Sequence, residues 1–291
     1  MIKIYGATRY TVLRKRILAP KIKEIDIYSP RIAKAARAGQ FVMVMVDKES
    51  ERIPLTIVDW DREDGWIRVV FQEVGVSTIK LGLVDIGEDL YHVSGPHGVP
   101  THISRFGTVA VVGGGVAVAA LYPVARAFKE AGNRVIAIIG ARSSNLLIYE
   151  DKVRSICDEL YISTDDGSKG IRGYVSSALE KIFSEGLKPD LVWIVGPVAM
   201  MKMCSSVARR YGVRAVASLN PIMVCGIGMC GACRVRVYGK TRFACLEGPE
   251  FDALGVDWNE LELRLQMYRD EENISLRRFL ESGGCIGQDK T

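Results

Sequence analysis

What the chain lacks narrows its function first. Its lysines and arginines form neither a stripe nor a block, and the net charge of +5 over 291 residues is mild. No electrostatic footprint for nucleic acid is present. The opening residues, MIKIYGATRY, hold no apolar core of signal-peptide length. The uncharged run over residues 108–125 contains three consecutive glycines and a proline, and joins a strand-like pattern to a helix-like one. It therefore does not read as a membrane span. The glycine triplet is not G-x-G-x-x-G, and no acidic residue stands about twenty positions beyond it to hold a ribose. Asn and Gln are scarce, a thermophile-like trait. What remains is an ordinary globular composition, 48% hydrophobic and 25% charged, with room for two or three domains. A reducing cytoplasm is the expected location.

The densest chemical signal lies near the C-terminal end: Cys225-Gly226-Ile227-Gly228-Met229-Cys230-Gly231-Ala232-Cys233, then Cys245. A C-x4-C-x2-C run with a fourth cysteine downstream has the plant-type [2Fe–2S] spacing, although here the fourth lies closer than in those ferredoxins. The interspersed glycines let the backbone wrap tightly and turn its N–H groups toward sulfur. Zinc is the alternative ligand. Zinc ribbons pair two C-x2-C hooks, whereas this chain has one, flanked by single cysteines. Cys157, Cys204 and Cys285 show no pairing pattern and stand in stretches that read as helix or tail.

Before this stretch the chain changes character once. From Tyr10 to about Ser94 short apolar runs alternate with turn signals: Gly39, Pro54, residues 61–65, Gly82 and Gly87. That spacing predicts an antiparallel β-barrel or sandwich. Within it, Arg52-Ile53-Pro54-Leu55-Thr56 sets an arginine fork beside a hydroxyl on a proline-stiffened strand. Such a fork can clamp a pyrophosphate, or simply form a surface ion pair. Gly75-Val76-Ser77-Thr78, at a predicted helix start, suits an anion. From Thr108 onward, continuous apolar strands alternate with helical segments, which predicts a parallel sheet covered on both faces. Its strands end in Gly113-Gly114-Gly115, Gly140-Ala141-Arg142, Asp165-Asp166-Gly167 and Gly196-Pro197, so the carboxyl edge forms a ligand crevice. A hairpin turning at Gly239-Lys240 and one charged helix from about Trp258 to Glu272 are expected after the cysteines.

Arg-x-Pro-Leu-Thr, then Gly-Val-Ser-Thr, then Ser94-Gly95-Pro96-His97-Gly98 resembles in order the FAD-binding domain of the ferredoxin–NADP reductase superfamily. The glycine triplet, Thr164-Asp165-Asp166-Gly167 and Gly196-Pro197 resemble its pyridine-nucleotide domain, departing from the family pattern at Ala117 and Ala120. The resemblance implies FAD contacts from Arg52, Pro54, Leu55, Thr56, Gln72, Gly75, Val76, Ser77 and Thr78. It implies NAD(P)H contacts from Gly113, Gly114, Gly115, Val116, Ala141, Arg142, Asp165, Asp166, Gly196, Pro197 and Met200.

The order flavin barrel, nucleotide domain, cluster domain is similar to that of two relatives. One is the electron-transfer subunit of dihydroorotate dehydrogenase. The other is the small subunit of NADH-dependent ferredoxin:NADP⁺ oxidoreductase, also known as sulfide dehydrogenase β subunit, which the Glu-Gly-Pro-Glu-Phe-Asp extension resembles more. These resemblances imply a multi-domain α+β fold: residues 1–104 as the FAD barrel, 105–217 as the NAD(P)-binding α/β domain, and 218–291 as the [2Fe–2S] domain with a helical tail. They imply metal ligation by Cys225, Cys230, Cys233 and Cys245, an all-thiolate set where the small subunits usually carry aspartate at the first position. They imply no catalytic acid or base, and a heterodimer with a larger flavin and [4Fe–4S] subunit that meets ferredoxin. Service to a dihydroorotate dehydrogenase catalytic subunit is the alternative. A zinc-stabilised interaction module is the alternative of another class.

Overall fold

The structure is a computed structural model that describes residues 8–284; the opening residues read above and Cys285 lie outside the described residues. The N-terminal runs form β1 (Val12–Ala19), β2 (Ile22–Tyr28), β3 (Phe41–Met45), β4 (Ile53–Asp61), β5 (Trp66–Gln72) and β6 (His92–His97). They pair antiparallel in the order β1-β2-β5-β4-β3-β6. The strands turn alternate side chains toward a shared core, where Val12, Ile25, Val42, Ile57, Val69 and Val93 meet. Helices α1 (Pro30–Ala35) and α2 (Val76–Leu83) add Ile32 and Leu81 to it. This is the expected antiparallel barrel. Gly82, expected as a turn, lies inside α2, where Glu73 packs so closely that a side chain has no room. Pro54 sits within β4 rather than between strands. There β4 pairs with β3 through residues 53–56 and with β5 only from Ile57 onward, so the missing N–H faces an unpaired edge.

The second sheet holds β7 (Thr108–Gly114), β8 (Arg134–Ala141), β9 (Glu159–Thr164), β10 (Ile171–Arg172), β11 (Leu191–Val195) and β12 (Arg214–Ser218). All six run parallel, in the order β10-β9-β8-β7-β11-β12. Two-sided burial explains their uninterrupted apolar sequences. Helices α3 (Val118–Glu130) and α4 (Glu150–Arg154) cover the face toward the barrel; α5 (Val175–Ser184) and α6 (Val198–Arg210) cover the other.

After the cysteine loop come the hairpin strands β13 (Arg234–Val237) and β14 (Lys240–Phe243), helix α7 (Ala244–Glu247) and strand β15 (Glu250–Asp252). The hairpin turns at Tyr238 and Gly239, one residue earlier than expected, because both adopt positive φ (49° and 73°) as a two-residue hairpin loop requires. β15 joins the parallel sheet as its antiparallel edge beside β12, which no sequence pattern announced. It carries Glu250, whose carboxyl accepts a 2.5 Å hydrogen bond from Thr101; burial pushes that carboxyl up to about 7.

The expected single helix is two, α8 (Trp258–Leu265) and α9 (Arg269–Glu281). α8 is capped by Asp257, which accepts the Glu260 N–H at 3.0 Å, and buries Leu261. α9 buries nothing, starts afresh on its own acidic first turn, and lies against α2.

Two contacts lock the sheets together. Ala38, Val58 and Val70 of the barrel share a core with Leu121, Val124 and Ala125 of α3. Beside that core, Arg68 forks onto Asp26 at 2.6 and 2.8 Å, with Glu24 at 3.7 Å. From the nucleotide side, Tyr149 donates to Glu24, and Arg126 reaches Asp59 at 3.2 Å. Burial and the Glu24 carboxylate hold the Tyr149 phenol well above its usual range. Glu24 and Asp26 are 3% and 1% exposed, so each depends on its partners for solvation.

Arg68→Met should therefore leave Asp26 and Glu24 to more distant cations, Arg14 at 4.0 Å and Lys152 at 3.5 Å, and cost about 3 kcal/mol. Tyr149→Phe should cost only about 1 kcal/mol. Urea unfolding followed by circular dichroism separates them; equal losses would show that the guanidinium is not the centre of the network.

Candidate cofactor clefts and a cysteine centre

Three groups of predicted residues come together around the barrel strand β3. Its first flank is β4: Pro54 pairs with Met43, Leu55 with Val42, and Thr56 with Phe41. Arg52 stands exposed just before that strand. The other flank is β6, where Ser94 pairs with Met43 and His97 with Phe41. Ser94 Oγ and His97 Nε2 are 2.9 Å apart, and burial lowers the His97 pKa.

Gln72 ends β5, exposed and away from β3. Gly75 caps α2, but the Thr78 hydroxyl is already engaged. It accepts the Val74 and Gly75 N–H groups at 3.0 Å and donates to the Gly75 carbonyl. The first-turn amides of α2, from Val76 onward, are therefore the donors left for an anion.

The nucleotide residues line up along the carboxyl edge of the parallel sheet. Gly113 sits opposite Val195, and Gly114 opposite Gly140. Met200, on α6, packs so close to Gly114 that a Cβ there would overlap its sulfur, and a Cβ at Gly196 would lie 2.6 Å from its methyl carbon. Gly114, Gly196, Pro197 and Met200 thus share one wall. Farther along, the Asp165 N–H bonds to Ala141 at 3.1 Å and the Asp166 N–H to Arg142 at 3.2 Å, which joins those four at the ends of β8 and β9. Gly115 and Val116 open the turn into α3, and that turn touches β5 of the barrel. The crevice therefore faces the barrel.

The cysteine loop rests on the same strand from the outside. Phe41 and Met43 pack with Met223, Cys233, Ala244 and Cys245 in a separate apolar cluster. Gly226, Gly228 and Gly231 all adopt left-handed φ values of 73°, 78° and 71°. A Cβ on Gly226 would lie 2.6 Å from the Met43 side chain, so glycine is required both for conformation and for contact with the barrel.

The loop turns five amides onto its four sulfurs. Ile227 and Cys230 donate to Cys225 at 3.5 and 3.4 Å, Ala232 to Cys230 at 3.5 Å, Gly228 to Cys245 at 3.1 Å, and Cys245 to Cys233 at 3.4 Å. Burial opposes ionisation of Cys225, but its two amide donors outweigh that and bring the thiol down to about 6. Burial and the neighbouring Cys233 sulfur, 3.2 Å away, push Cys245 up to about 12.

Amide donors on every sulfur suit a thiolate-ligated iron–sulfur cluster. Cys157 and Cys204 lie elsewhere: Cys204 is buried in α6, and Cys157 follows α4 in a turn rather than the helix expected for it, because that helix ends at Arg154.

Sequence reading missed Met43, which seats the loop, and Arg264, which donates to the Ala232 carbonyl at 3.0 Å. Arg264 shares the inner face of α8 with Leu261, and that i, i+3 spacing was the one available signal. No described helix is long and apolar enough to cross a membrane.

Residues 220–257 match the model of the iron–sulfur cluster binding domain of dihydroorotate dehydrogenase B. Over 279 residues the chain is 47% identical to a Thermotoga maritima protein described as a homologue of the dihydroorotate dehydrogenase B (NAD⁺) electron-transfer subunit, covering 96% of this chain and 98% of that one. The corresponding subunit of Streptococcus thermophilus is 34% identical, covering 83% of this chain and 95% of its own length. A chain in the structure of an NADH-dependent reduced ferredoxin–NADP oxidoreductase superposes with a TM-score of 0.90 at 46% identity, covering 95% of this chain and 99% of that one. Phthalate dioxygenase reductase shares the fold, with a TM-score of 0.57 at 15% identity over 80% of this chain and 87% of that one.

Gly226→Ala should strain the loop backbone by about 1–2 kcal/mol and push it off Met43. Hydrogen exchange of amides 225–233 should then quicken while the barrel amides stay protected. Unchanged loop protection would mean that the Gly226–Met43 contact does not hold the loop in place.

Proposed function

The chain belongs to the family of dihydroorotate dehydrogenase B electron-transfer subunits and their homologues, and we propose that it relays electrons between NAD(P)H, FAD and a [2Fe–2S] cluster, to or from a larger partner subunit. The observation that carries this reading is the convergence on β3. The flavin-type motifs flank that strand, and the cysteine loop packs against its Phe41 and Met43.

When bound, the nicotinamide and flavin exchange a hydride and the cluster carries single electrons. The protein's part is to bind, orient and insulate. Arg52 and Thr56 clamp the flavin and its phosphates, with Pro54 and Leu55 beside them on β4 and Gln72 at the end of β5. The amides of the loop Gly75-Val76-Ser77-Thr78 take up the pyrophosphate at the start of α2. Gly113, Gly114, Gly115 and Val116, with Gly196, Pro197 and Met200, shape the crevice for the nicotinamide nucleotide. Ala141, Arg142, Asp165 and Asp166 extend it. Cys225, Cys230, Cys233 and Cys245 hold the cluster. No side chain is needed as acid or base.

Residues 1–104, 105–217 and 218–291 serve as the flavin, nucleotide and cluster units. The rim of the cysteine loop is open: Met229 is 80% exposed, and Ile227, Leu246 and Val224 surround it, all more than half exposed. An apolar rim beside an exposed Cys230 suits a docked protein.

The partner that fits best is the larger flavin and [4Fe–4S] subunit of an NADH-dependent ferredoxin:NADP⁺ oxidoreductase, working with ferredoxin in the cytoplasm. The near-complete overlap with that enzyme's chain favours it, because the Streptococcus dihydroorotate dehydrogenase subunit matches less of this chain. A dihydroorotate dehydrogenase catalytic subunit is the second reading, supported by the match to residues 220–257.

Two variants test the relay. Arg52→Ala removes a charge-assisted bond of about 1.5–3 kcal/mol, so FAD should wash out on gel filtration of a folded protein. Full flavin retention would remove Arg52 from the site. Cys233→Ser should abolish the cluster's EPR signal while NAD(P)H still bleaches the flavin at 450 nm or thereabouts, since the cysteine lies downstream of hydride exchange. A cluster that survives Cys233→Ser, or a zinc stoichiometry in the wild type, would overturn the assignment.

A further inference from the structure

Helix α8 brings a half-buried arginine to the cysteine loop, with no carboxylate in ion-pair contact with it among the described residues. Arg264 donates from Nη2 to the carbonyl of Ala232, between Cys230 and Cys233, at 3.0 Å. Its Nε–H is buried and has no hydrogen-bond partner among the described residues. The carboxylates closest to it along α8 are engaged elsewhere: Glu260 holds Arg236 at 2.7 Å, and Glu262 holds Lys202 at 2.9 Å. A guanidinium is always charged, and a buried N–H of one left without an acceptor is costly, so an acceptor or counter-charge fits there.

A second arginine makes the contrast. Arg234 donates to the Gly231 carbonyl at 3.1 Å, one residue along the same loop, but its side chain is exposed. Solvent and salt screen that charge, whereas the half-buried Arg264, with its Nε buried, is screened less.

An oxidised all-thiolate [2Fe–2S] centre carries a net charge of about −2 and gains one more negative charge on reduction. Resting on the relay reading above, we propose that Arg264 is the counter-charge of the cluster and holds its reduction potential up, so that the reduced form is the one it stabilises. The residue neither ligates iron nor exchanges a proton. It acts through charge and through the Ala232 carbonyl that orients the loop. Its place on α8 means that a segment beyond Cys245, in addition to the amides of the cysteine loop, tunes the cluster's electron affinity.

The test is an EPR-monitored redox titration of the holoprotein. In Arg264→Gln the ratio of reduced to oxidised cluster at a fixed potential should fall about tenfold or more, the effect of removing one poorly screened unit charge. Arg264→Lys should recover most of it. Arg234→Gln should change the ratio by less than about twofold, because its charge is already screened. Raising the salt concentration should leave the Arg264→Gln difference in place.

Arg264→His offers a second route should the glutamine variant lose its cluster. There the cluster potential should fall as pH rises through the imidazole range, near pH 6.5 in an unperturbed site, while the wild type shows no such step. An unchanged or raised potential in Arg264→Gln, or a pH-independent potential in Arg264→His, would overturn the proposal and leave the relay intact. A wild-type protein with no cluster signal at all would overturn both.

Discussion

Everything in this molecule depends on one strand being packed from two directions. β3 is five residues long, and its register sets β4 on one side and β6 on the other. Its Phe41 and Met43 side chains point away from the barrel core that Val42 and Val44 enter, as the two-residue period of a strand demands. The barrel therefore owns one face and the cysteine loop the other. A slip of one residue would exchange the faces and separate the loop from the flavin motifs.

The nucleotide sheet is held to this arrangement by different physics. Its contact with the barrel mixes a shared apolar core with a set of buried ions, Arg68, Asp26, Glu24 and Asp59, completed by Tyr149 and Arg126 from the other side. Apolar burial is tolerant of small rotations, whereas a bidentate arginine is not. The core supplies most of the attraction, and the ions restrict the angle at which the crevice meets the barrel. A fixed angle matters where two flat rings must stack.

The C-terminal third is not an appendage. β15 extends the parallel sheet, Glu250 reaches Thr101 in the connector between barrel and sheet, α8 touches the cysteine loop through Arg264, and α9 reaches α2. The cluster unit is thus joined to both other units by hydrogen bonds as well as by apolar contact. Its outer rim, by contrast, is open: Met229, Ile227, Leu246 and Val224 are all more than half exposed.

Local spacing by itself determined much of this protein. The cysteine pattern, the glycines among it, the alternating runs of the barrel and the uninterrupted strands of the sheet are all properties of neighbouring residues, and each was legible without coordinates. So was the helix start at Gly75, because capping is a local interaction. The sequence did not disclose that Thr78 is consumed by that cap, that Gly82 lies inside a helix, or that residues 250–252 form a sheet edge. The last depends on which edge is left unpaired, and pairing is decided between segments far apart in the chain. Met43 beneath Gly226 and Arg264 beside Ala232 belong to the same class. Neither residue has a motif, since an apolar side chain on a strand and an arginine on a helix are ordinary in any sequence. Only the tertiary structure decided that one seats the cysteine loop and the other brings a half-buried charge to it, because burial and proximity are properties of the packed chain rather than of residue order.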